Sequence, residues 1–192
     1  MVKLAANLSM MFTEVEMLDR FDAAANTGFK GVEYLFPYDF PAEQIKERLE
    51  KNGLKQVLFD LPAGDWDGGD RGLAALPDRV EEFRDGVGMA IEYAKTLDCG
   101  QLTCLAGIPP AGTDPEVATQ TLIDNMAFAA PLVADAGAKL LLEPINPRDI
   151  PGYFITTSSQ GISVLDAVGH ENAWLQYDIY HMQIMEGDLA PT

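Results

Sequence analysis

The stretch LLLEPINPRDIPG (residues 140–152) sets the reading of the whole chain. Three leucines in a row predict a short strand buried on both faces, as in a parallel sheet covered by helices. Glu143 ends the apolar run and Pro144 follows at once. Proline cannot donate to a strand ladder, so the strand stops with a carboxylate at its carboxyl end. An ionised carboxylate buried alone is costly, and such a group is paired, protonated or bound to a metal. Glu143 is therefore a candidate site residue as well as the last residue of a core strand.

Outward from this strand the same unit recurs. VKLAANL (2–8) reads as a strand. Thr13, with Glu16 three residues on, has the form of a capping box, and Met17, Leu18, Phe21, Ala24 and Ala25 follow at helical spacing up to Gly28. GVEYLF (31–36) is a second strand, and Pro41 leads a helix that carries Ile45 and Leu49 and closes at Gly53. LKQVLFDL (54–61) is the third, with a helix presenting Val80, Phe83, Val87, Ile91, Ala94 and Leu97. QLTCLAG (101–107) is the fourth; Asp114-Pro115 opens its helix, which turns Leu122, Met126, Ala129 and Val133 inward and ends at Gly137. KLLLEPI (139–145) is the fifth, with a helix around 159–168, and WLQYDIY (174–180) is the sixth, with a last helix near His181.

Strand then helix, six times over, predicts a parallel sheet covered by helices. No GxGxxG follows the first strand, which disfavours a dinucleotide-binding sheet. A (β/α)8 TIM barrel fits better, but such barrels run to about 250 residues. Six units in 192 residues predict one domain over 1–192, either a barrel holding about six of its eight units and incomplete at the C-terminus, or a six-stranded open sheet.

Composition narrows the function. A hydrophobic fraction of 47% with 22% charged residues describes an ordinary globular domain. Lys and Arg number 13 against 30 Asp and Glu, a net charge of −17, which repels phosphate backbones and argues against nucleic acid as a partner. No apolar run approaches a membrane span, and MVKLAANLSMMF has no basic segment before a long apolar one, so the cytoplasm is the expected compartment. Cys99 and Cys104 read as buried thiols.

In parallel α/β folds the chemistry gathers at the carboxyl ends of the strands. Asp60 ends the third strand, Glu143 the fifth and Asp178 the sixth, with His181 three residues after Asp178. Converging carboxylates repel one another, and a divalent cation removes both that repulsion and the burial cost. Oxygen donors with one imidazole suit Mg²⁺ or Mn²⁺ better than Zn²⁺. Glu143, Asp178 and His181 are the expected metal group, His181 as a ligand or just behind one. Asp60 is a candidate substrate contact, although taken alone an Asp at a strand end is more often a helix cap. Glu33 could face the mouth or a basic neighbour. Arg148 is the candidate clamp for a substrate carboxylate, or a surface partner of Asp149. The connection LPAGDWDGGDRGLAALP (61–77) is long enough for a lid, with Trp66 as its closing side chain. His170 falls in a surface turn, and Trp174 reads as a packing residue.

Four segments taken together, GFKGVEYLFPYDFP (28–41), LPAGDWDGGDRG (61–72), EPINPRDIPGYF (143–154) and LQYDIYHMQIMEGDL (175–189), resemble the hydroxypyruvate isomerase family. That family belongs to the xylose-isomerase-like TIM barrels and includes 2-oxo-tetronate isomerases; the resemblance runs from residue 3 to the final residue. It implies a divalent-metal isomerase acting on short 2-keto acids with an adjacent hydroxyl. It implies that Glu143 and Asp178 are metal ligands and that Glu143 takes part in proton transfer, with His181 following in the same motif. The family's further ligand glutamine and second acidic residue lie on strands seven and eight, beyond Thr192. Two inner positions depart from the family pattern, which leads one to expect Asn at Asp60 and His at Thr103. Two readings stand beside the isomerase. A metal-dependent endonuclease of the same superfamily would need several histidines and a basic face, whereas this chain has two His and a charge of −17. A non-catalytic barrel fragment would keep the core without the chemistry. A sheet with two open edges also predicts self-association.

Overall fold

The computed structural model describes residues 3–187; the expected start of the first strand at Val2 lies outside them. Six parallel strands form one sheet in chain order: β1 (Ala5–Asn7), β2 (Gly31–Glu33), β3 (Lys55–Asp60), β4 (Gln101–Cys104), β5 (Lys139–Leu142) and β6 (Ala173–Leu175). Between them run α1 (Arg20–Asn26), α2 (Ala42–Asn52), α3 (Val80–Leu97), α4 (Pro115–Asp135) and α5 (Ser158–Val168), and α6 (Ile179–Met185) follows β6. This is the (β/α) barrel architecture, with six of its units among the described residues. Among the described residues no helix is long and apolar enough to cross a membrane.

The core lies between sheet and helices. Val32, Phe59, Leu102, Leu140 and Leu142 on the strands are fully buried, as are Phe21, Val87, Leu122, Met126 and Val133 on the helices. These are the positions that helical and strand periodicity select. Cys99 and Cys104 are free and buried within that core, and burial pushes the Cys99 thiol up to about 11. Helix ends follow their sequence signals. Asp114 accepts from the Glu116 amide at 2.9 Å with Pro115 in the first turn of α4, and Gly53 closes α2 in the left-handed conformation.

The first helix starts later than expected. Thr13 and Glu16 make no capping box; a 3₁₀ turn at Met17–Asp19 leads into α1 instead. The chain turns back around Asn7, whose side-chain oxygen accepts from Ser9 N at 3.0 Å and whose carbonyl accepts from Met10 and Met11 N. Arg20 then ties this loop down by donating to the carbonyls of Leu8 (2.7 Å) and Val15 (3.1 Å). A capping box does exist at α5, where Thr157 and Gln160 satisfy each other's backbone amides.

The 61–77 connection divides in two. Residues 73–76 are buried, and Ala74 N and Ala75 N donate to the carbonyls of Leu105 and Ala106. An isolated bridge joins Gly72 to Ala106. That half is part of the fold, and an exposed tip is left around Asp65–Gly69.

Candidate active site

Every strand delivers one polar side chain to the carboxyl end of the sheet: Asn7 from β1, Glu33 from β2, Asp60 from β3, Thr103 from β4, and Glu143 and Gln176 from just beyond β5 and β6. Asn7 Nδ2 donates to Glu33 Oε1 at 3.2 Å, and Thr103 Oγ1 donates to Gln176 Oε1 at 2.7 Å. Glu33 therefore faces the mouth. Asp60 is no helix cap: it is 6% exposed and its carbonyl accepts from the Tyr38 hydroxyl at 2.6 Å. Among the described residues no Lys or Arg forms an ion pair with Glu33, Asp60 or Glu143.

Glu143 is held at its backbone. Buried Tyr153 donates to its carbonyl at 3.3 Å and accepts from Ala106 N at 2.9 Å. The residue is 8% exposed. Burial, and after it the negative charge of Asp178, pushes Glu143 up to about 8, with the nearby Gln176 side chain acting the other way. Asp60 is raised well above the ordinary carboxylate range, first by burial and then by Glu143. Glu33 is raised by burial too. These acids repel one another across a shared space, with no Lys or Arg among the described residues paired to them.

Asp178 has two tasks. Its Oδ1 caps α6, accepting from Tyr180 N at 2.7 Å and His181 N at 3.2 Å. Its Oδ2 is left towards the site, 3.9 Å from His181 Nε2. Ligand atoms of Glu143, Asp178 and His181 lie within 4.8 Å of one another. The structure thus brings together the three residues expected to form a metal group, and its carboxylate oxygens suit a hard divalent cation.

The expected substrate contacts are spread more widely. Arg148 is exposed in the turn after Pro144, and its backbone amide donates to Asn146 Oδ1 at 3.0 Å. It makes no ion pair with Asp149; Asp149 accepts from Asn146 instead. Trp66 packs edge-on against Phe36 (5.0 Å) beneath the Arg71 guanidinium (4.3 Å). It lines a cavity of about 620 Å³ with Ser9, Met10, Tyr38 and Asp65. Trp174 carries Lys139 over its ring at 4.0 Å, and His170 accepts from Asn172 N at 3.1 Å within a turn.

Sequence reasoning missed Asn7, Asn146 and Gln176. Neutral amides carry no burial conflict, so nothing in their neighbours marks them. The one available signal was strand alternation, which places Trp174, Gln176 and Asp178 on one side.

The model of the xylose isomerase-like TIM barrel family matches residues 21–192. Hydroxypyruvate isomerase of Escherichia coli is 48% identical over 192 residues, which are 100% of this chain and 74% of that protein. The chain belongs to the hydroxypyruvate isomerase family. The 2-oxo-tetronate isomerase of Cupriavidus necator is 47% identical over 99% of this chain and 73% of its own. A crystal structure from Brucella melitensis, described as an AP endonuclease of family 2, superposes with a TM-score of 0.96 at 47% identity, covering 98% of this chain and 73% of that one. As a member of the hydroxypyruvate isomerase family the chain is an enzyme of the isomerase type.

Proposed function

We propose that the chain carries the metal-binding and proton-transfer half of a divalent-metal isomerase that interconverts hydroxypyruvate and tartronate semialdehyde, or a related 2-oxo-tetronate. The observation that carries this reading is the convergence of Glu143, Asp178 and His181 among further acids that have no basic partner among the described residues. Glu143 and the free Oδ2 of Asp178 would hold the cation, Mg²⁺ or Mn²⁺, with His181 beside them. When bound, the cation supplies Lewis-acid polarisation of the substrate's carbonyl and neighbouring hydroxyl.

The conversion moves a carbonyl by one carbon. One proton leaves C3 of hydroxypyruvate, one is added at C2, and the hydroxyl proton on O3 passes to O2; nothing is oxidised or reduced overall. Glu143 suits the proton on carbon. Its depth keeps water away, and its elevated proton affinity makes it a better base than a surface carboxylate once ionised. Thr103 holds Gln176 beside it, and Tyr153 fixes its backbone. Arg148 is the candidate to meet the substrate's carboxylate, and Trp66 the candidate to meet its distal end. The name of the Brucella protein does not favour an endonuclease here, because a charge of −17 and two histidines suit neither a DNA face nor a multi-metal histidine site.

Titration with Mn²⁺ and assay of hydroxypyruvate conversion test the reading. Glu143→Gln and Asp178→Asn should each weaken Mn²⁺ binding by roughly 10-fold or more, since losing even an outer partner of a ligand costs about 10–100-fold. Equal Mn²⁺ affinity for both variants and the parent protein would refute the assignment.

A further inference from the structure

His181 has two ring nitrogens, and its surroundings distinguish them. Nδ1 lies 2.7 Å from Asn146 Nδ2. Asn146 is fully buried, and its amide cannot be turned around. Its Oδ1 accepts from the backbone amides of Arg148 and Asp149, both at 3.0 Å. Rotating the amide would set its NH₂ group against two N–H donors. The two hydrogens on Nδ2 therefore go to Asp149 Oδ2, at 2.9 Å, and to His181 Nδ1. A nitrogen that accepts a hydrogen bond carries no proton, so in the neutral ring the proton sits on Nε2.

We propose that Asn146 is a positioning residue that holds His181 as the Nε2–H tautomer, so that His181 enters the site as a hydrogen-bond donor and leaves the cation to Glu143 and Asp178. A histidine that binds a metal through Nε2 normally donates its Nδ1–H to a carboxylate or carbonyl. Here Nδ1 meets a donor, and that arrangement is excluded. The Nε2–H faces Oδ2 of Asp178, 3.9 Å away, and any oxygen seated beside it. Glu143, Asp178 and His181 are close neighbours, but only the two carboxylates present free lone pairs. The part concerning the cation rests on the metal reading above; the tautomer does not.

The chain has only two histidines, so nitrogen-15 NMR of the metal-free protein, at about pH 9 where an imidazole is neutral, reads the tautomer directly. A His170→Gln variant assigns the signals. The parent should show His181 protonated on Nε2 and bare on Nδ1. Asn146→Asp puts an acceptor of the same shape opposite Nδ1, and the proton should move to Nδ1. A parent His181 protonated on Nδ1 overturns the proposal, as does an unchanged tautomer in Asn146→Asp. Mn²⁺ titration then separates ligand from neighbour. His181→Gln should bind Mn²⁺ within about 2-fold of the parent, while Asp178→Asn loses roughly 10-fold or more. Equal losses in the two variants would make His181 a ligand and overturn the second half of the proposal. If the parent binds no Mn²⁺ the metal reading fails, and the NMR result still decides the tautomer.

Discussion

At Glu143 the sign of the pH dependence follows from the site. The folded chain holds this carboxyl at about 8, against about 4.3 for an exposed glutamate. In the metal-free protein the folded state therefore keeps a proton that the unfolded chain releases. The stabilisation is fully present below about pH 4.3 and is lost as pH rises through about 8. At about 1.4 kcal/mol per pH unit of difference, the loss is on the order of a few kcal/mol. Asp60 is shifted in the same direction by the same burial. Most other carboxylates have ionised by about pH 6, so the interval from about 6 to 8 isolates the buried ones. The urea midpoint with EDTA should fall across that interval, fall less steeply in Glu143→Gln, and fall less or rise under saturating Mn²⁺, which binds the ionised form. A midpoint in EDTA that stays level from about pH 6 to 8 would contradict the assignment. Glu143 was legible in the sequence because a carboxylate directly after three leucines poses a burial conflict that only a special environment resolves. Asn146 was not, because its partner His181 lies 35 residues away and no local pattern relates them.

Among the elements, the strand–helix units were legible because each is a local matter of periodicity and stop signals. The exceptions lie where tertiary contacts override those signals. Thr13 and Glu16 have capping-box spacing, but Arg20 and Asn7 draw residues 9–16 into a loop that a helix cannot follow. The 61–77 connection is rich in glycine, which suggests motion, yet one of those glycines serves close packing. A Cβ on Gly72 would collide with the backbone carbonyl of Leu105, and one on Gly107 with the carbonyl of Gly72. Both residues have positive φ, +119° and +90°. Only glycine allows the β3–α3 connection to lie directly on the end of β4. Gly137 has a similar φ of +81° but open space around its Cα. Gly137→Ala should cost about 1 kcal/mol from backbone strain alone. Gly107→Ala adds a backbone collision and should cost about 3 kcal/mol or more, within the range for strain at a special position. Thermal or urea unfolding of the two variants checks the difference, and equal destabilisation would show that this contact relaxes without cost.

For the whole molecule the open question is what covers the sheet's ends. β1 and β6 stand at opposite ends of the strand order, each paired on one side only among the described residues. Near them Leu4 is 71% exposed and Trp174 45%. At the amino ends of the strands a cavity of about 930 Å³ opens between Ala5, Phe29, Val57 and the stems of Lys3, Lys30 and Lys55. Unpaired backbone donors beside apolar side chains favour association, and a net charge of −17 opposes it. Salt decides between the two, because screening shortens the reach of the repulsion to about 8 Å at 0.15 M while leaving edge pairing almost untouched. The 192-residue chain should therefore scatter light as more than its 20.9 kDa, with a mass that grows with protein concentration and with added NaCl. Leu4→Glu combined with Trp174→Glu should return it towards the monomer. The second substitution sets a carboxylate opposite Lys139, whose ammonium now lies over the Trp174 ring, so the fold keeps a partner there. A parent chain that stays at monomer mass at every concentration and salt level would show that its open edges are protected by charge and twist alone.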